Sequence, residues 1–425
     1  VTLLDPVGAA TAPHSDRLLV RTTAVDDPGP LLALLPEGAP LAWVRNGEGL
    51  VGWGSAARFD VSGADRFADA EQWWRALSSA AVVHDEVSES GSGLVAFGSF
   101  SFDVDSTAGS ALVVPDVLVG HRGGRWWLTT VTARISPQPA LQPAERPAPP
   151  GEVVYTDGAL SPLQWEAAVA DAVARLGRGD LGKVVLARDV QARTAEPVDP
   201  RLLLQRLAAS YPATWTFCVD GLVGATPELL VRLSRGLVTS RVLAGTIRRT
   251  GDDERDLANA ASLARSSKDL DEHEFAVRSV AEGLAPWCTS TNVPETPFVL
   301  HLPNVMHLAT DVTGVLGRPA TVLALAGALH PTAAVCGTPT DAARAVITEL
   351  EGMDRGRYSG PVGWIDAGGD GEWGLALRCA QIDAADPHLL RLYAGCGIVA
   401  GSEPAAELAE SVAKLLPMRE ALAGG

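Results

Sequence analysis

Apolar runs closed off by Gly and Asp turns recur through the first part of the chain. Three of them, GLVAFGSFSF (93–102), SALVVPDVLVG (110–120) and RWWLTTVTARI (125–135), predict strands. A proline-rich run, ISPQPALQPAERPAPPGE from Ile135 to Glu152, excludes regular helix and central strand and predicts an exposed connector. Beyond it the pattern is mixed. Ser161, Pro162 and Gln164 form a capping-box start, after which Trp165, Val169, Val173 and Leu176 line one helical face that Gly177 ends. Strands are expected over 183–190, 214–221, 228–234 and 236–246, the last two joined by a tight Arg235-Gly236 turn. Residues 253–284 are helical, with a break near Ser266 and Ser267. GRYSGPVGWID (356–366), EWGLALRCAQID (372–383) and HLLRLYAGCGIVAG (388–401) predict a β-meander with residues 368–371 as a hairpin loop, followed by a helix from about Glu403 to Leu422. Hairpins and meanders imply antiparallel sheets, hence an α+β fold rather than a doubly wound one. No internal repeat is visible.

Bulk properties narrow the function. The 425 residues, 47 % of them hydrophobic, can bury a large core. Lys and Arg number 34 against 51 Asp and Glu, so a basic groove for nucleic acid is not expected. A protein this acidic that binds an anionic small molecule must gather its few cations, or a metal, at one place. The five cysteines include no CxxC pair, which points to reduced, buried thiols in a cytoplasmic protein. The amino terminus lacks a basic start followed by an apolar run, so no secretory signal is expected. No run of about 18 apolar residues exists, and no membrane span is expected.

Candidate chemistry begins with two carboxylate pairs, each spaced to share one face of a helix. Asp269 and Glu272 lie in KDLDEH, next to His273; Glu407 and Glu410 lie in EPAAELAES, with Lys414 a turn further on. Such a pair is usually solvated surface, but two faces brought together would offer hard oxygen ligands for Mg²⁺. Lys183 opens a strand; in a dry pocket its amine could serve as a general base, and otherwise it is a surface charge. Glu228 follows Pro227 where a loop becomes a strand, and is a candidate general acid or a strand-edge charge. Arg378 interrupts an apolar strand and, with the Tyr358 hydroxyl, suits either a substrate carboxylate or a structural partner. His330 and Thr332, in ALHPTAAVCGTP, read as structural.

Taken in order, KVVLAR, GATPELL, LAGT, SKDLDEHEF, LHPTAAVCGTP, RGRYSGPVGW, GEWGLALRCA and LYAGCGIVAGSEPAAELAESVAK resemble the motifs of the chorismate-utilising enzymes, over roughly residues 155–420. The resemblance implies one large α+β domain, two antiparallel sheets in a sandwich with helices outside. Residues 1–135 would be its β-rich amino-terminal part, 136–152 a connecting loop and 153–425 the catalytic region. It implies Lys183 as the water-activating base and Glu228 as the acid that protonates the departing C4 hydroxyl. Glu272 and Glu410 match the direct Mg²⁺ ligands, with Asp269 and Glu407 as outer carboxylates that hold its water. Gly245, Thr246, Ala334, Tyr358, Arg378, Gly395 and Lys414 match substrate-contacting positions. Ala244 stands where one type of aminodeoxychorismate synthase carries a nucleophilic lysine.

Among these enzymes the chain is most similar to the isochorismate synthases, which exchange the C4 hydroxyl of chorismate for a hydroxyl at C2 and supply menaquinone or siderophore biosynthesis. Salicylate synthases, which go on to eliminate pyruvate, tend to differ from its His-Pro-Thr run. The amine-transferring relatives typically have glutamine at the position of Lys183, so no glutaminase subunit is expected, and the chain is expected to act as a monomer. The alternatives are a salicylate synthase, an anthranilate or aminodeoxychorismate synthase component, an inactive chorismate-binding protein and, on residue chemistry alone, a Mg²⁺-dependent hydrolase.

Overall fold

The computed structural model describes residues 17–134 and 137–423; the amino-terminal run read for a signal, and Ile135 at the start of the proline-rich run, lie outside them. The strand-forming runs assemble into two large sheets, and strands from both sides of the proline-rich run take part in each. In the first sheet, Lys183–Thr194 pairs with Leu389–Ile398, and Trp215–Val219 pairs with Leu41–Arg45. In the second, Val305–Leu316 pairs with Leu237–Arg248, and Pro361–Asp366 pairs with Val95–Ser99. Among the described residues every pairing is antiparallel except that of Leu19–Val25 with Val82–Asp85. Side chains from both sheets, including Trp43, Phe217, Phe97 and Trp364, form the buried layer between them. Helices cover the outer faces: Trp165, Val169 and Leu176 of Pro162–Gly177 pack with Val184 and Leu186 of the first sheet. This is the α+β class expected from the hairpin pattern and the sandwich that the family resemblance implies. No helix among the described residues is long and apolar enough to cross a membrane.

Two apolar runs read as single strands are each divided between the sheets. Residues 110–120 break at Pro115: Ser110–Val114 belongs to the second sheet and Val117–Arg122 to the first. Proline has no N–H to give a ladder, so it stands where the chain leaves one sheet for the other. Residues 372–383 break likewise. Gly371–Leu375 lies in the second sheet and Cys379–Ile382 in the first, and Arg378 sits at the crossing with φ +50°. Arg378 therefore does not interrupt a strand; it occupies the seam between sheets.

The region 253–284 is two helices, Asp253–Leu263 and Ser267–Leu284. The cause of the break is a cap, since the Ser266 hydroxyl accepts from the Asp269 amide at 3.3 Å and restarts the helix. The restart puts Asp269 in the first turn and sets which face Glu272 presents. Ser161 and Gln164 form the expected capping box on Pro162–Gly177. Strands Leu222–Thr226 and Val305–Leu316 were not picked out by pattern. The cysteines are free; Cys288 is half-buried rather than buried, and the other four are buried.

Candidate active site

A cavity of about 640 Å³, its mouth included, opens where the two sheets and the helices Ser267–Leu284 and Pro404–Ala423 converge. Glu228, Gly245, Thr246, Glu272, Ala334, Tyr358, Arg378, Gly395 and Lys414 all line it. These residues come from eight separate elements or loops, so only the tertiary fold brings them together. Asp269, Glu407, Glu410 and Lys183 stand outside that lining.

A β-bulge shapes one wall. Ala244 pairs with Leu308 and Thr246 with His307, which leaves Gly245 unpaired at φ +77°. A Cβ at Gly245 would come within 2.9 Å of the Asp269 side chain, so only glycine lets the helix Ser267–Leu284 approach this strand.

Glu228 is no strand-edge surface charge: it is 4 % exposed. Burial pushes its carboxyl up to about 8, against the Leu243 amide and the charges of Lys183, Lys414 and Arg378, which all pull it down. At neutral pH it therefore carries a proton into the cavity. Lys183 is 0 % exposed, and its Nζ has no hydrogen-bond partner among the described residues. Its nearest charge is Glu272 Oε1 at 3.3 Å, an ion-pair distance without hydrogen-bond alignment. Gly397, on the cavity wall, lies beside both: a Cβ there would stand 1.9 Å from Glu272 Oε1 and 3.0 Å from the Lys183 Cε.

Three of the four acidic positions each meet a lysine. Glu410 takes Lys414 at 2.6 Å, Glu407 takes Lys268 at 2.6 Å, and Glu272 faces Lys183. Lys414 also donates to the Gly395 carbonyl at 2.9 Å, so it is more than an i,i+4 partner of Glu410. Burial would raise the Glu410 carboxyl, but Lys414, helped by Lys268 and the Thr246 hydroxyl, holds it below the ordinary range. Glu407 goes the other way, raised by burial and by Glu410.

Oxygens of Glu407 and Glu410 and the Cys396 sulfur lie within 4.8 Å of one another; Glu272 and Asp269 stand outside that tight group. Burial keeps the Cys396 thiol protonated, and it donates to the Glu407 carbonyl, so the donor set toward the cavity is carboxylate oxygen. Hard oxygen donors with an ammonium already standing among them suit a hard divalent cation such as Mg²⁺.

Another part of the cavity wall, reached from Glu410 through Thr246 and His307, is prepared for an anion. The Arg378 Nη2 donates to His307 Nε2 at 3.1 Å, which makes Nδ1 the protonated nitrogen of that ring, facing the Gly245 carbonyl and the Thr246 hydroxyl at 3.3 and 3.1 Å. Burial keeps the His307 pKa well below its ordinary value, in keeping with a neutral ring. Tyr358 stacks on Tyr393 with centroids 5.0 Å apart, and its hydroxyl would lie 2.9 Å from a Cβ at Gly395.

Behind this wall a buried pair fixes the frame. Arg355 bonds Glu351 and the carbonyls of Val185 and Val335, and Glu351 accepts from the Ala187 amide at 2.7 Å. His330 Nε2 donates to the Phe102 carbonyl, 2.9 Å away, and His273 bonds Thr310, so both are structural. Sequence reasoning passed over His307, Tyr393, Arg355, Gly397 and Lys268. His307 lay in a strand the pattern did not single out, and Lys268 looked like any helix-surface lysine.

The chain is similar to known proteins in sequence and in fold. The family model described as "Chorismate binding enzyme" matches residues 37–423. The chain is similar to isochorismate synthase DhbC of Bacillus subtilis, at 41 % identity over 64 % of this chain and 71 % of that protein. It is 34 % identical to the salicylate biosynthesis isochorismate synthase of Pseudomonas aeruginosa, over 90 % of this chain and 84 % of that one. Among solved structures, a putative 2,3-dihydroxybenzoate-specific isochorismate synthase, DhbC from Bacillus anthracis, superposes with a TM-score of 0.76 at 31 % identity, covering 92 % of this chain and 98 % of that one. Anthranilate synthase component I from Streptococcus pneumoniae shares the fold, with a TM-score of 0.67 at 20 % identity, covering 97 % of this chain and 94 % of the other.

Proposed function

The chain belongs to the chorismate-binding enzyme family, and from that premise we propose that it is an isomerase converting chorismate to isochorismate by adding water at C2 with loss of the C4 hydroxyl. The observation that carries this reading is a protonated carboxyl at Glu228 in the cavity lining, within electrostatic reach of a buried amine at Lys183 that has no hydrogen-bond partner among the described residues. Chemistry of this type needs one group to take a proton from water and another to give one to the departing oxygen.

The steps follow from the residues present. Arg378, oriented by His307, and the Tyr358 hydroxyl bind the enolpyruvyl carboxylate. The Gly245 bulge, Thr246, Ala334 and Gly395 shape the bed for the ring, and Lys414 adds positive charge beneath it. Lys183 accepts the proton of the attacking water while the ring double bonds shift. Glu228 delivers its proton to the C4 oxygen, which leaves as water. A second turnover requires the proton to return from Lys183 to Glu228 through solvent. Glu272 and Glu410 would hold Mg²⁺, with Asp269 and Glu407 as outer carboxylates, and the bound ion supplies an electrostatic clamp for the ring carboxylate.

The product is suited to menaquinone or siderophore biosynthesis. Chromatography of the products formed from chorismate with Mg²⁺ tests the assignment. Isochorismate alone supports it; salicylate with pyruvate, an aromatic amine formed only with ammonium, or no conversion at all would each overturn it.

A further inference from the structure

The three lysines of the carboxylate cluster differ in one respect. Lys183 is fully buried, and Lys414 is pinned between Glu410 and the Gly395 carbonyl. The Lys268 side chain keeps 35 % of its area in solvent, and its one hydrogen-bond partner among the described residues is Glu407, at 2.6 Å. It stands in the first turn of Ser267–Leu284, so rotation about its own flexible stem can carry the ammonium away without moving backbone. We propose that Lys268 is a removable counter-ion of the cluster: with no divalent cation bound its ammonium neutralises Glu407, and a divalent cation displaces it into solvent. The proposal rests on reading the cluster as a divalent-cation site.

Competition for one carboxylate favours displacement of this lysine over the other two. A divalent ion held beside Glu407 and Glu410 would stand against the Lys268 ammonium, 2.6 Å from the Glu407 oxygen, and like charges that close repel. Lys183 and Lys414 have no comparable route to solvent. Lys268 thereby competes with the cation: apparent affinity is the intrinsic value reduced by the fraction of molecules whose cluster is free.

The test is Mn²⁺ titration without substrate, followed by loss of the free-ion electron paramagnetic resonance signal, for the unmodified protein and for Lys268→Met. If Lys268 occupies the cluster about nine-tenths of the time, the variant binds Mn²⁺ about tenfold more tightly. A second measurement needs no variant: amine acylation mapped by mass spectrometry should label Lys268 faster when Mg²⁺ is saturating. Equal or weaker Mn²⁺ binding by Lys268→Met, or protection of Lys268 by Mg²⁺, overturns the proposal. Failure of the unmodified protein to bind Mn²⁺ at all would instead remove the cation-site reading on which it rests, and the proposal with it.

Discussion

Replacing Glu228 by glutamine removes a single proton from a buried site, and both stability and catalysis should report it. The carboxyl sits in the unfolded chain at its ordinary value near 4.5 and in the folded protein at about 8. Between those values the folded protein holds a proton that the unfolded chain has released. Stability contributed by this position therefore falls as pH rises through that window, and is level below and above it. At about 1.4 kcal/mol per pH unit, rounding off near the upper end, the loss between pH 5.5 and 7.5 is on the order of 2–3 kcal/mol. Glu228→Gln has nothing to titrate, so its stability relative to the unmodified protein should climb by that amount over the same interval. Urea unfolding of both proteins at several pH values measures the difference.

The catalytic counterpart is a limb in kcat/KM that falls above pH about 8 in the unmodified enzyme, with a loss of roughly 10²–10⁴-fold in the glutamine variant. A stability gap that stays constant with pH, or full activity in Glu228→Gln, would refute the reasoning.

Lys183→Ala should abolish turnover without unfolding the protein, shown by circular dichroism beside a product assay; retained activity would contradict its role as base. Glu410→Gln should weaken Mg²⁺ binding by at least about tenfold in calorimetry, and an unchanged titration would remove it from the ligand set. Gly397→Ala puts a carbon 1.9 Å from Glu272 Oε1 and should cost about 1–3 kcal/mol in thermal melts while impairing turnover; an unaltered protein would mean that the Glu272 side chain moves aside freely and is not held against this wall.

The fold class was legible because turn chemistry is local. The capping box at Ser161 and Gln164, the Arg235-Gly236 turn and the Ser266 restart all depend on residues a few positions apart. The division of 110–120 and 372–383 between two sheets was not legible, since both halves of each run are apolar and only pairing partners reveal which sheet they join. At the site, family resemblance supplied the residue types, and the fold brought Glu228, Glu272, Arg378 and Lys414 to one cavity. What sequence could not give were the partners that set their chemistry. His307 meets Arg378 from 71 residues away, and Lys268 reaches Glu407 across 139. Neither contact leaves a trace in spacing.

The account turns on solvent water, activated beside Lys183, becoming the new C2 hydroxyl while the old C4 oxygen departs on the Glu228 proton. Turnover of chorismate in heavy-oxygen water, with mass spectrometry of the isochorismate formed early in the reaction, reads this directly. One heavy oxygen at C2 and none elsewhere is the predicted result. Isochorismate that carries only light oxygen would mean that the hydroxyl migrates within the substrate, and would contradict the roles given to both residues.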